Sequence, residues 1–144
     1  MFIGTFEHSI DDKGRLAIPA RFRSELADGM FVTRGIDRCL MVLTAEHWQR
    51  LVDGMASLPM LQNDARRLQR HFFSGAAPLQ ADRLGRVLIP QFLRDYAQLS
   101  SEVVVVGVMN RIELWDRQSW SAERNEVESL SQELAEHLSS NNLL

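Results

Sequence analysis

The chain is poor in the residues on which many enzymes and secreted domains depend. Cys39 is its only cysteine, so no internal disulfide can form, which fits a reducing cytoplasm. No apolar run approaches the ~18 residues that a membrane span requires. The opening "MFIGTFEHSI" lacks a basic stretch followed by an apolar one, so it is not expected to act as a secretory signal. His8, His47, His71 and His137 are scattered, and no histidine or cysteine pair has metal-site spacing. Neither a glycine-rich phosphate loop nor a G-x-S-x-G elbow occurs. No cofactor and no metal are therefore expected, and the chain is not expected to be an enzyme. His8 is the one residue to watch: it falls on the otherwise apolar face of the first strand. There it is either a satisfied core or interface histidine or a buried acid or base. Cys39 leads a strand and reads as core.

Charge is also uneven. Lys13 is the only lysine, and the formal net charge is −3. Residues 1–110 carry thirteen Lys/Arg against twelve Asp/Glu, whereas 111–144 carry three against seven. The acidity is C-terminal and the body nearly neutral, which leaves room for one basic face to steer a partner.

What the chain does have is a repeat. "DDKGRLAIP" at 11–19 returns as "DRLGRVLIP" at 82–90. A shift of 71 residues aligns Gly4 with Gly75, Asp11 with Asp82, Gly14 with Gly85, Arg15 with Arg86, Pro19 with Pro90 and Arg23 with Arg94. A shift of 72 aligns Gly35 with Gly107 and Trp48 with Trp120. Two diverged copies thus fill almost the whole chain. Each reads as ββαββα, about 1–58 and 74–138, with a linking helix at about 60–73.

In the first copy, Phe2, Phe6 and Ile10 alternate with Thr5, Glu7 and Ser9 as a period-2 strand. Gly14 suits the left-handed position of a tight turn. "RLAI" returns as a strand, and Pro19 suits the first turn of a short helix, "ARFRSEL". "FVTRGI" and "CLMVL" form a second hairpin around Asp37-Arg38. Thr44 is placed to cap a helix with the stripe Trp48, Leu51, Val52 and Met55. The linking helix buries Leu61, Ala65, Leu68 and Phe72.

The second copy repeats the plan. Its first strand, within "SGAAPLQA", is weakened by Pro78 and reads as an edge. Its last helix, ~117–138, aligns Trp120, Val127, Leu130, Leu134 and Leu138, and "SSNNLL" is expected to fray. A ~70-residue unit is marginal alone. The two are expected to share one core as a single α+β domain, residues 1–144, with internal pseudo-twofold symmetry.

The repeated turn admits two readings. Asp11–Arg15 and Asp82–Arg86 could brace the hairpins, although an exposed ion pair contributes only ~0–1 kcal/mol. Alternatively, a guanidinium fork held by a carboxylate is suited to phosphate or to guanine O6/N7. Lys13 adds a phosphate contact in copy one; copy two has Leu84 there and Arg83 one step earlier. Arg21, Arg23 and Arg94 follow on the short helices, for packing between units or for contact with a nucleic-acid backbone. Arg66, Arg67, Arg70 and His71 form a stripe on the linking helix, as a solvated face or a nucleic-acid contact.

The two Asp-x-x-x-Arg turns, with the opening "MF-x-G", "DKGRLAIPARFR", "RRLQRHFFSGA", "GRVLIP" and "ELWD", resemble the MraZ family of bacterial transcriptional regulators. The resemblance runs from Met1 to about Trp120. It implies an AbrB-like swapped-hairpin β-barrel with peripheral helices, built from the two repeats and assembled into a ring-shaped homo-oligomer. The implied partner is double-stranded DNA: direct repeats in the promoter of the division and cell-wall gene cluster, which includes the protein's own gene. The implied location is the cytoplasm, with the nucleoid. The DNA-binding residues carried over are Asp11, Lys13, Arg15, Asp82, Arg83 and Arg86, with Arg21, Arg23 and Arg94 as backbone contacts. Arg15 is expected to read bases, and Lys13 and Arg86 mainly phosphates. The other reading is a ring-forming protein-interaction scaffold without specific DNA binding.

Overall fold

A computed structural model describes residues 1–139 of the protein. The first repeat runs β1 (Phe2–Ser9), β2 (Arg15–Ala17), α1 (Ala20–Arg23), β3 (Met30–Arg34), β4 (Leu40–Thr44), α2 (Ala45–Ala56) and α3 (Asn63–Phe73). The second runs β5 (Ala77–Leu79), β6 (Arg86–Leu88), α4 (Gln91–Tyr96), β7 (Glu102–Met109), β8 (Arg111–Asp116) and α5 (Arg117–His137).

Local chemistry explains most boundaries. The Thr44 side chain accepts the His47 amide and starts α2, and Asp116 accepts the Ser119 amide and starts α5. Pro19 and Pro90 stand one place before α1 and α4, in extended rather than helical conformation. Helix α1 is shorter than expected, because after Arg23 the chain passes into turns that reach Gly29. Helix α3 starts at Asn63, not near 60, because a turn closed by Gln62 N–H to Pro59 O precedes it. Leu61 consequently lies outside the helix and is 94 % exposed, while Ala65 and Phe72 are buried as expected.

The strands pair across the repeats. One six-stranded antiparallel sheet has the order β1-β7-β8-β4-β3-β5, and a two-stranded ribbon joins β2 to β6. Repeat one lends β1 to β7, with Phe2 opposite Met109 and Ser9 opposite Glu102. Repeat two lends β5 to β3, with Leu79 opposite Met30. This reciprocity is a pseudo-twofold relation whose axis runs between β4 and β8 and between β2 and β6. The six-stranded ladder has two ends rather than closing on itself. Pro78, which cannot donate to a ladder, sits on the short end strand β5.

The main buried cluster draws on both repeats, including Phe2, Leu16, Phe22, Val87, Leu93 and Leu114. On the opposite face of the sheet, Val104 and Val106 pack with Cys39 and Trp115, with Trp120 against them. The unbroken Val103–Val106 run is buried on both faces for this reason. Trp48 stacks on Phe31 at 4.8 Å between ring centroids, while its counterpart Trp120 lies 5.6 Å from Trp115.

Two glycines give opposite predictions. A Cβ on Gly107 would stand 2.5 Å from the Ile3 backbone nitrogen, whereas one on Gly54 in α2 would meet nothing within 4 Å. Gly107→Ala should lower the urea midpoint by pushing β1 from β7, and Gly54→Ala should raise stability by ~0.5–1 kcal/mol through helix propensity. Equilibrium urea unfolding of the two variants beside the parent checks both signs.

Candidate nucleic-acid interface

Each repeated turn is built by one aspartate working with both oxygens. Asp11 Oδ1 accepts the backbone amides of Lys13 at 3.0 Å and Arg15 at 2.8 Å, and Oδ2 accepts Arg15 Nε at 2.7 Å. Asp82 repeats this with the amides of Leu84 and Arg86 and with Arg86 Nε, each at 2.9 Å. The aspartate therefore caps the turn and orients the arginine at once. Gly14 and Gly85 close the turns at φ +87° and +76°, donating to the carbonyls of Asp11 and Asp82.

The carboxyls respond to this environment. Asp11 is lowered to about 2, chiefly by the Arg15 amide, against the opposing effect of burial, and then by the Arg15 side chain and the Lys13 amide. Asp82 is lowered by the same kinds of contact, led by the Arg86 amide.

The arginines use only Nε for the aspartate. Among the described residues, the terminal amines of Arg15 and Arg86 have no hydrogen-bond partner. The end-on fork, of a shape that matches a phosphate or a guanine edge, is thus left unpaired. Both ion pairs lie about one-third exposed, with side-chain exposures of 35 % and 34 % at Arg15–Asp11. At such exposure the pair contributes little to stability, and its effect is positional.

The ribbon brings the two forks together. In its register Arg15 faces Leu88 and Ala17 faces Arg86, so all four side chains emerge on one face. Leu16 and Val87, between them, point into the core. Arg15 and Arg86 are diagonal neighbours, with ~7–8 Å between their backbones. Leu88, 58 % exposed, and Leu84, 66 % exposed at the second turn, add apolar surface beside the forks. These leucines were absent from the sequence-based site. Alternation outward from Arg86, once β6 is paired with β2, is the signal that finds Leu88.

Arg23, which is exposed, and Arg94, which is half-buried, lie against the turns of the opposite repeat. Arg94 Nε donates to Ile89 O at 3.0 Å, and its guanidinium covers Gly14; Arg23 Nε donates to Ile18 O at 2.9 Å and covers Gly85. A Cβ on Gly14 would stand 2.8 Å from Arg94 Cζ. Both arginines thus make a contact between the repeats, the first of the two roles read from the sequence. Arg21 is exposed, with its guanidinium 5.9 Å from the Phe6 ring centroid, and Lys13 and Arg83 are exposed at the turns.

The other candidates lie elsewhere. On α3, Arg66 donates to Met60 O and His71 Nε2 to Gly35 O, whereas Arg67 and Arg70 point to solvent. His8 is half-buried on the inward row of β1, and burial and the nearby Arg23 charge hold its pKa below the ordinary value. Burial pushes the Cys39 thiol up to about 12, with help from Glu113 and Asp37. Among the described residues no group of three His, Cys, Asp or Glu side chains could hold a metal ion, and no helix is long and apolar enough to cross a membrane.

A family model described as "MraZ protein, putative antitoxin-like" matches the chain twice, over residues 1–71 and 72–141. The boundary between the two matches falls within the last turn of α3.

Because a backbone amide is the largest cause of the Asp11 shift, Arg15→Ala should raise the Asp11 pKa without restoring it fully. A carbon-detected NMR titration of the carboxyl reads this directly. The folded pKa lies below the unfolded one. The turn's contribution to stability is therefore complete above about pH 4 and is lost as pH falls toward about 2.

Proposed function

The chain belongs to the MraZ family, and on that footing we propose that it is a sequence-specific DNA-binding transcriptional regulator whose reading element is the β2–β6 ribbon. The observation that carries this reading is the pair of carboxylate-held arginine forks on one outward face. A two-stranded ribbon fits the major groove, where an arginine fork distinguishes guanine by its O6 and N7 acceptors. A brace alone needs no free fork, and among the described residues both forks are free.

The roles divide by neighbourhood. Arg15, beside Lys13, reads a base while Lys13 holds phosphate. Arg86 and Arg83 contribute mainly phosphate contacts, and Leu84 suits a thymine methyl at the edge of the site. Asp11 and Asp82 orient the forks without touching DNA. Arg21 contributes a backbone contact, while Arg23 and Arg94 pack against the turns of the opposite repeat.

The exchange of strands between repeats supports an AbrB-like swapped-hairpin fold acting as one domain, with the six-stranded sheet and the ribbon as its walls. Several such domains in a ring-shaped homo-oligomer present many ribbons to direct repeats, and each weak contact gains from the others by effective concentration. The targets are direct repeats in the promoter of the division and cell-wall gene cluster, including the protein's own gene, and the protein works at the nucleoid.

The experiment is a fluorescence-anisotropy titration of DNA from upstream of the protein's own gene against scrambled DNA, at several salt concentrations. Arg15→Ala should cost ~1–3 kcal/mol on the upstream DNA and much less on the scrambled one. Lys13→Ala should weaken both alike and reduce the salt slope by ~1. Equal losses on both DNAs for Arg15→Ala, or no preference in the parent, would move the function to a ring-forming scaffold.

A further inference from the structure

The pseudo-twofold relation brings equivalent positions together on the ribbon without making them identical. Under the 71-residue shift Ala17 corresponds to Leu88 and Lys13 to Leu84, while arginine stands at both 15 and 86. The antiparallel register sets each fork beside the other repeat's variable position: Arg15 faces Leu88, and Arg86 faces Ala17. The two forks therefore have different neighbours. Arg15 stands beside a leucine that is 58 % exposed, and Arg86 beside a half-buried alanine.

The core does not require that leucine. Leu16 and Val87, the facing pair between the forks, supply the inward side of the ribbon and are fully buried. Leu88 lies two residues from Arg86 on one strand and so shares its outward face. Side chains directly opposite on antiparallel strands have Cβ atoms ~4.5–5.5 Å apart. Successive bases along a DNA strand are ~3.4 Å apart. A leucine at that distance from an arginine on guanine reaches the adjoining base pair. In the major groove the apolar group that a base pair offers is the C5-methyl of thymine. Ala17 is too short to make the same contact beside Arg86.

We propose that Leu88 is a specificity-determining residue that packs on the C5-methyl of a thymine adjoining the guanine held by Arg15. This role rests on the reading of DNA proposed above and adds to it a residue outside the two Asp-x-x-x-Arg turns. It also gives the ribbon a direction. Twofold-symmetric readers match palindromic sites, because their two halves read the same bases. With leucine beside one fork and alanine beside the other, the first fork belongs to a two-base reader and the second does not. The two orientations of one site are thereby distinguished.

The test is an anisotropy titration of the full chain on the upstream DNA, with thymines replaced one position at a time by deoxyuridine, which lacks only the C5-methyl. In the parent, one such replacement should weaken binding at least ~4-fold, the effect of uncovering about one methyl group. That thymine should adjoin the guanine whose replacement by 7-deazaguanine, which lacks the N7 acceptor, weakens the parent but not Arg15→Ala. In Leu88→Ala the same thymine should fall silent, while any thymine sensed by Leu84 keeps its effect. Each ratio compares two DNAs on one preparation, so partial unfolding of a variant cannot imitate either result. A parent with no sensitive thymine would overturn the assignment, and so would Leu88→Ala that keeps the parent's sensitivity at every thymine. A Leu88-dependent thymine more than one base pair from the Arg15-dependent guanine would overturn it as well. A parent that binds upstream and scrambled DNA alike would instead remove the reading of DNA on which this role rests.

Discussion

Two reciprocal backbone hydrogen bonds hold the centre of this protein. Ile18 donates to the carbonyl of Gly85 and Ile89 to that of Gly14, each at 2.9 Å, so each repeat is tied to the other's turn. Only glycine leaves room there for the guanidinium of Arg94 or Arg23, which fills the space a side chain would take. The β2–β6 register follows from this lock, and that register sets the face on which Arg15 and Arg86 emerge. Fold and candidate site are one construction.

Seen from this lock, the economy of the turn is plain. A carboxylate that only braced an exposed loop would contribute little. Here each aspartate satisfies two backbone amides and also fixes an arginine, so turn conformation and fork direction are set together. The forks are preorganised before any ligand arrives, which lowers the entropic cost of binding.

Much of this was legible in the sequence because the repeat shows it twice. Strand β1 with Phe2, Phe6 and Ile10 on one face, the glycine turns, the Thr44 cap, the weak edge strand at Pro78 and the Asp–Arg pairing all follow from local patterns. What periodicity could not give was partnership. That β1 pairs with β7 and β2 with β6, rather than within their own repeats, is a tertiary choice, and the shared face of Arg15 and Arg86 depends on the second of these pairings. Arg23 and Arg94 stayed open between two roles for the same reason, since the glycine each covers lies in the other repeat. Leu61 was misplaced because stripe counting ignores the turn that Pro59 initiates.

The exchange of strands also bears on how the chain emerges from the ribosome. Phe2 must wait for Met109, and the first strand has no partner to join until β7 has been made. At ~5–20 residues per second that delay is roughly 5–20 s. For that interval β1 is a strand with an uncovered apolar face, and on a crowded polysome the nearest β7 can belong to another chain. Duplicating the unit within one polypeptide answers this hazard, because the correct partner always arrives on the same chain.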